Sequence, residues 1–263
     1  MNLFPKKSLG QNFLIDKEII NLIVETGNVK KNDLVIEVGP GKGNLTEKIL
    51  EKSPKELIVI EKDFRFTEHL NSRFGERIRI IHEDMMKYSF DSFSEKNIIV
   101  FGNLPYNIST QILVKWIKMR NLNNFCKKFI LMFQKEVAER IIANVNTKNY
   151  GRISILSNWK FNIEKIVDIY PSSFKPKPKV DSTLLVFTPK NEFYNLKNSK
   201  NLEYITNIFF SQKRKMIKKP LKFLFKNFED ISKKLSLDLK SRPQNLDNIT
   251  YYKICDIYET LIN

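Results

Sequence analysis

The chain has 263 residues, enough for one large domain or a main domain with an appendage, and at 42% hydrophobic it can bury a sizeable core. Lys and Arg number 45 against 29 Asp and Glu, a formal charge of +16 that favours a polyanionic partner, although plentiful Lys, Asn and Ile also fit an AT-rich genome. Cys126 and Cys255 lie far apart and His69 and His82 form no ligand cluster, which argues against disulfides, metal and redox chemistry; no run reaches membrane-spanning length and Met1 to Lys7 lacks the apolar stretch of a secretion signal, so a cytoplasmic protein without a membrane partner is expected.

Taken in chain order, a helical pattern at 16–27 precedes Val35-Ile36-Glu37-Val38, which reads as a buried strand over 34–38. Gly39-Pro40-Gly41-Lys42-Gly43 follows and opens a helical pattern over 44–52. Glycines there let a backbone approach a ligand at a helix N-terminus. A dinucleotide fingerprint wants G-x-G-x-x-G, whereas this is G-x-G-x-G with an acid, Glu37, two residues before Gly39. That favours the S-adenosylmethionine version of the doubly wound fold, with Gly39 and Gly41 against the cofactor. A second strand, 57–60, ends in Glu61, where a carboxylate can grip ribose hydroxyls. After a helix at 64–73, a third strand at 78–81 leads to Asp84, placed to accept from an adenine amine of the cofactor. Any one acid could be a solvated loop residue; three acids and a glycine loop at successive strand ends read as a cofactor crevice.

The apolar run 98–101 ends in Asn103-Leu104-Pro105-Tyr106. The exocyclic amine of adenine is a poor nucleophile because its lone pair is delocalised into the ring. Two acceptors against its hydrogens, the Asn103 side-chain carbonyl and the Leu104 backbone carbonyl, would favour a pyramidal nitrogen. Pro105 stiffens the turn and Tyr106 offers a stacking face. An ordinary strand-to-helix turn uses the same residue types. Helices at 109–118 and 134–143 and strands at 128–133, 163–169 and 183–188 complete an alternation that implies a parallel sheet covered on both faces. Asn191 to Asn201 is polar and strand-poor, and beyond it the pattern is only helical, for instance Leu202, Ile205 and Phe209. The expected organisation is a catalytic domain over 1–190 and an all-helical domain over 191–263.

Between Tyr204 and Phe228 there is no acid, while Lys213, Arg214, Lys215, Lys218, Lys219, Lys222 and Lys226 are basic. On one helix, Lys215, Lys219, Lys222 and Lys226 would form a stripe opposite Ile217, Leu221, Leu224 and Phe228; Pro220 interrupts it and suggests two stubs. The readings are a solvated face or an RNA phosphate contact, the latter favoured by the missing acids. Upstream, Phe174-Lys175-Pro176-Lys177-Pro178-Lys179 puts stiffened lysines after an aromatic. Lys175 and Lys177 suit phosphate, and Phe174 is either a plug under the loop, the reading the residues alone prefer, or a second face for a base.

Ser8-Leu9-Gly10-Gln11-Asn12-Phe13-Leu14, Glu37 to Gly41, Phe101 to Ser109 and Phe174 to Ser182 together resemble the ribosomal RNA adenine N6,N6-dimethyltransferases, most closely the small-subunit branch. The similarity runs nearly end to end, through Gln134 to Arg140, Tyr150-Gly151-Arg152 and Gln212 to Lys215; Pro220 departs from the family pattern, which usually has a small polar residue there. The resemblance implies an S-adenosylmethionine-dependent methyltransferase (Rossmann-like) fold with an antiparallel last strand. It implies dimethylation of two adjacent adenines near the 3′ end of 16S-type rRNA within a pre-30S-type particle, by a monomer. It also implies that Asn12 and Leu14 cover the methionine end of the cofactor, that Asn103 touches both cofactor and target, and that Phe174 stacks the target base opposite Tyr106. A large-subunit dimethyltransferase conferring macrolide resistance, a DNA adenine methylase and a non-catalytic RNA-binding factor on the same fold are the alternatives. Leu104 and Arg242-Pro243 speak against the first and intact Glu61, Asp84 and Asn103 to Tyr106 against the last.

Overall fold

A computed structural model describes residues 3–6, 10–90, 97–119 and 122–261. Seven strands form one sheet: β1 Leu34–Val38, β2 Glu56–Glu61, β3 Arg79–His82, β4 Ile98–Gly102, β5 Cys126–Gln134, β6 Phe161–Ile169 and β7 Ser182–Pro189, in the order β3-β2-β1-β4-β5-β7-β6. The first five are parallel, and β7 runs antiparallel to β5 with Phe129 opposite Phe187. Every residue of β1 and β4 is buried, as expected of central strands covered on both faces.

The covering helices of this unit are α1 Lys17–Gly27, α2 Asn44–Leu50, α3 Phe64–Phe74, α4 Ser109–Ile117 and the short α5 Leu122–Phe125. Asp16 caps α1 by accepting from the Glu18 and Ile19 N–H groups, and Asp63 caps α3 through Arg65 N–H. Gly27 lets α1 lie directly on β4, because a Cβ there would stand 2.3 Å from the Phe101 ring. Strand order reverses between β1 and β4, so the crevice of a doubly wound sheet opens at their carboxyl ends. Phe13–Leu14 pairs with Phe174–Lys175 in a separate two-stranded ribbon.

The chain divides into two compact units, Met1–Ala138 with Asn162–Lys190, and Glu139–Phe161 with Asn191–Asn263. One division falls between Lys190 and Asn191, and 139–161, expected within the first domain, belongs to the second unit. It carries α7 Arg152–Lys160, a helix the sequence reading did not anticipate, which follows α6 Lys135–Ile141. Buried residues surround α7 on all sides, Ile153, Ser154, Ile155, Leu156, Ser157 and Trp159 among them, so no one-sided apolar stripe marks it. Its partners are α8 Ser199–Phe210 and α11 Asn248–Leu261. Tyr252 donates to the Ile155 carbonyl at 2.9 Å, and Trp159 Nε1 to the Tyr194 carbonyl at 2.7 Å. Between α8 and α11 lie α9 Lys218–Leu224 and α10 Phe228–Lys234. The anticipated lysine stripe is therefore cut: Lys215 precedes α9, Lys226 follows it, and Pro220 stands in its first turn.

Candidate active site

At the carboxyl ends of β1, β2 and β4 lies a crevice of about 190 Å³. It is lined by ten of the residues expected there: Asn12, Leu14, Gly39, Gly41, Glu61, Asp84, Asn103, Leu104, Pro105 and Tyr106. Gly39 and Gly41 have φ of +69° and +54°, a region an L side chain rarely adopts. A Cβ on Gly41 would also stand 2.8 Å from the Phe13 ring. Sequence chose glycine here for conformation and for close approach alike.

Glu61 is almost fully buried at the end of β2. One oxygen accepts the Gly41 N–H at 3.3 Å and the other the Asp63 N–H at 2.8 Å, so the carboxylate is aimed by backbone on two sides. Burial raises its pKa, and those backbone donors oppose the rise. A carboxylate has about four lone-pair sites, which leaves acceptor capacity for ligand hydroxyls. Glu37, on β1, is buried more completely and accepts from the Thr46 hydroxyl at 2.6 Å. Burial pushes its pKa up to about 8, with the nearby Glu61 charge adding to the effect. Asp84 takes the Met86 N–H at 2.9 Å and the Lys62 ammonium at 2.7 Å, and the Lys62 hydrogen bond is the main reason its pKa is lowered.

The Asn103 side chain is held by its amide nitrogen, which donates to the Asn12 carbonyl at 2.9 Å. That anchor leaves Oδ1 as the acceptor of the group. The Leu104 side chain is buried, with its Cδ2 within 3.0 Å of where a Gly102 Cβ would be, so the turn cannot slide. The Pro105 carbonyl accepts from Ile108 and Ser109 N–H groups at 3.1 and 3.0 Å and starts α4. The Tyr106 hydroxyl is hydrogen-bonded to the buried Ser182 hydroxyl at the start of β7, and burial raises its pKa.

Phe174 is not brought to the crevice. It is 1% exposed, paired opposite Leu14 and packed into the apolar core, so its ring has no open face for a base, as the plug reading required. Lys175, in the ribbon, and Lys177, in the loop beyond it, are exposed and outside the crevice lining. In the second unit Lys213, Arg214, Lys215, Lys218, Lys219 and Lys222 are all exposed, and Lys213 donates to the Lys148 carbonyl at 3.1 Å. Among the described residues no helix is long and apolar enough to cross a membrane.

Several residues that shape the crevice carried no assigned role in the sequence reading. Gln11 donates to Asp63 at 3.2 Å and accepts the Lys6 N–H at 2.7 Å, and Asn44 donates to the Leu14 carbonyl at 2.8 Å. With the Asn12 carbonyl on Asn103, these bonds lay the segment around residues 10–14 along the crevice. Gln11 and Ser182 lie inside the resembling motifs and Asn44 directly after the glycine loop, and those positions were the available signal.

The family model for ribosomal RNA adenine dimethylase matches residues 3–263. The chain belongs to the ribosomal RNA adenine dimethylase family. Relatives include ribosomal RNA small subunit methyltransferase A of Pelagibacter ubique (strain HTCC1062), 53% identical over 256 residues that cover 97% of each chain. The protein of the same name from Ehrlichia ruminantium (strain Gardel) is 40% identical over 258 residues, covering 96% of this chain and 95% of that one. Among solved structures, a dimethyladenosine transferase from Plasmodium falciparum superposes with a TM-score of 0.78 at 29% identity, covering 92% of this chain and 95% of that one. The 23S rRNA methyltransferase ErmE, with a TM-score of 0.68 at 22% identity over 93% of this chain and all of its own, shares the fold. The acids and the Asn-Leu-Pro-Tyr turn of this chain converge on one crevice.

Proposed function

We infer that this chain is an S-adenosylmethionine-dependent rRNA (adenine-N6,N6)-dimethyltransferase that modifies two adjacent adenines near the 3′ end of small-subunit rRNA. The observation that carries the reading is the Asn103 amide, anchored through its nitrogen to the Asn12 carbonyl so that its oxygen is left as an acceptor, with Leu104 and Glu61 in the lining of the same crevice. The residues fit S-adenosylmethionine: Glu61 has spare lone pairs for ribose hydroxyls, Gly39 and Gly41 leave room for close approach, and Asn12, Leu14 and Asp84 complete the lining. Bound there, the cofactor supplies a methyl group already activated on a sulfonium, so the protein has orientation and electrostatics to provide.

Asn103 and Leu104 accept the two N6 hydrogens and localise the nitrogen lone pair, while Tyr106 stacks the base and Ser182 holds the Tyr106 ring. No general base is required before attack, because the amine proton becomes acidic only as the new bond forms and then leaves to solvent. After the first methyl only one N–H remains, so one of the two acceptors loses its partner before the second transfer. The crevice must admit that methyl.

The same reading takes an assembling small subunit, a pre-30S-type particle, as the substrate and a cytoplasmic monomer as the acting species. Its support is a division of labour: the crevice serves one splayed base, while exposed cations from Lys213 to Lys222 sit in a unit that contributes nothing to the crevice lining. The test incubates the protein and labelled cofactor with unmethylated small subunits, naked 16S-type rRNA, large subunits and duplex DNA. Labelling of small subunits is expected. Preferential labelling of large subunits or DNA would overturn the substrate, and transfer to none would make the chain a binding factor.

A further inference from the structure

The second unit holds a cleft that methyl transfer does not use. It lies where α8 ends and α9 begins, has a volume of about 220 Å³, and is walled by Phe209, Met216, Pro220 and Phe223. Its base is firmly built. Phe209 is buried, and Ile217, also buried, ties the intervening turn by donating its N–H to the Ser241 carbonyl at 2.9 Å. Its rim is open: Met216 is 56% and Phe223 70% exposed. Large apolar side chains held out into water beside a cleft mark a contact surface rather than a core.

Charge narrows what the contact is. Lys215 and Lys219 line the cleft, and Lys219 Nζ stands 3.4 Å from the Gln212 side-chain oxygen on the same rim. The stretch from Tyr204 to Phe228 contains seven Lys and Arg and no acid, so the rim attracts anions without internal compensation. An aromatic face, a polarisable thioether, an amide for a base edge and adjacent cations are the groups with which proteins hold an unpaired nucleotide.

We propose that this cleft takes up one unpaired RNA nucleotide, its base against Phe223 and Met216 and its phosphates on Lys215 and Lys219. The proposal rests on the reading of the chain as an rRNA methyltransferase and adds a second base-holding point besides the target adenine. The residues involved differ from those of the crevice, so the two can be perturbed separately.

The test uses the full chain as wild type, Phe223→Ala, and Lys215→Ala with Lys219→Ala. Each is measured for binding to unmethylated small subunits across a salt series, with base-specific chemical probing of the bound rRNA. Phe223→Ala is expected to weaken binding about tenfold or more without altering the salt slope, as loss of a stacked base does. The double lysine variant is expected to flatten the slope by about 1–2. One nucleotide protected by wild type should regain reactivity with Phe223→Ala, while cofactor affinity and melting temperature stay at wild-type values. Binding of Phe223→Ala within twofold of wild type with an unchanged protection pattern would overturn the proposal. So would a loss of self-association at unchanged RNA affinity, which would make the cleft a contact between copies. If wild type itself transfers no methyl to small subunits, the functional reading fails; if wild type methylates them and Phe223→Ala binds equally well, only the cleft assignment fails.

Discussion

Replacing Glu37 with Gln isolates the electrostatics of the crevice floor. Glu37 is 2% exposed, and burial lifts its pKa from 4.5 to about 8, with the Glu61 charge adding and the Thr46 hydrogen bond opposing. The folded chain therefore holds this proton more tightly than the unfolded chain does. Between pH 4.5 and about 8 the unfolded state binds fewer protons, so stability falls as pH rises through that window and levels off above it. At about 1.36 kcal/mol per pH unit, that gap sets a loss on the order of 5 kcal/mol. Gln keeps an acceptor for Thr46 and carries no charge, so Glu37→Gln should match wild type within about 1 kcal/mol near pH 5, as buried isosteric changes that preserve a hydrogen bond do. At pH 8.5 it should be the more stable protein by several kcal/mol. Urea unfolding of both proteins without ligand, at pH 5, 7 and 8.5, measures this directly. Parallel pH profiles for the two would refute the assignment of a buried, protonated Glu37. Glu37 lines the crevice, so a cationic methyl donor bound there would favour its ionised form, and cofactor binding at pH 7 should then release protons, read by calorimetry in buffers of different ionisation enthalpy.

Glu61→Ala should weaken cofactor binding by about 1.5–3 kcal/mol, the range for a lost charge-assisted hydrogen bond, and wild-type-like titrations for both Glu61→Ala and Asp84→Ala would remove the crevice assignment. Asn103→Ala should leave cofactor affinity within a few fold while lowering single-turnover methylation by roughly two orders of magnitude, and normal turnover would refute its role. Because the second transfer has one fewer N–H to hold, a slow residual Asn103→Ala reaction should change the ratio of mono- to dimethyladenosine, measured by mass spectrometry of digested rRNA. Tyr106→Phe and Ser182→Ala each remove one side of a single hydrogen bond, so their effects on turnover should be non-additive in a double-mutant cycle; additive losses would mean that Ser182 does not position Tyr106.

The alternation of strands with α1 to α4 and α6 was legible because most strands are short apolar runs ending in a turn signal and these helices carry one-sided stripes, whereas the four-residue α5 was too short to show one. Glu61, Asp84 and Asn103 could be placed for the same reason: they end strands, and strand ends meet in a doubly wound sheet. What escaped the reading depends on long-range burial. Helix α7 shows no stripe because it is enclosed, so nothing local assigns 139–161 to the helical unit. Phe174 occupies a motif that suggests stacking, yet its pairing opposite Leu14 turns it inward, and only the ribbon between 13–14 and 174–175 reveals that. The lysine stripe failed because a periodicity of 3.6 applies only within one helix, and α9 spans too few residues to carry it.

The motifs make more sense as mutual supports than as separate contacts. Asn12 lines the crevice while its carbonyl fixes the Asn103 amide, so the N-terminal segment aims the very group expected to meet the target amine. Gln11 ties that segment to Asp63, which follows Glu61 by two residues and donates its N–H to the Glu61 carboxylate. Asp63 is itself held ionised, its pKa lowered to about 2 chiefly by Arg65. One chain of bonds thus runs from Arg65 through Asp63 to both Glu61 and Gln11, whose segment carries the Asn12 carbonyl that fixes Asn103. Gln11 also lines the crevice, so a change there loosens the support under both the cofactor carboxylate and the acceptor amide. The motif residues that seemed only to accompany the chemistry are the ones that keep its two halves in register.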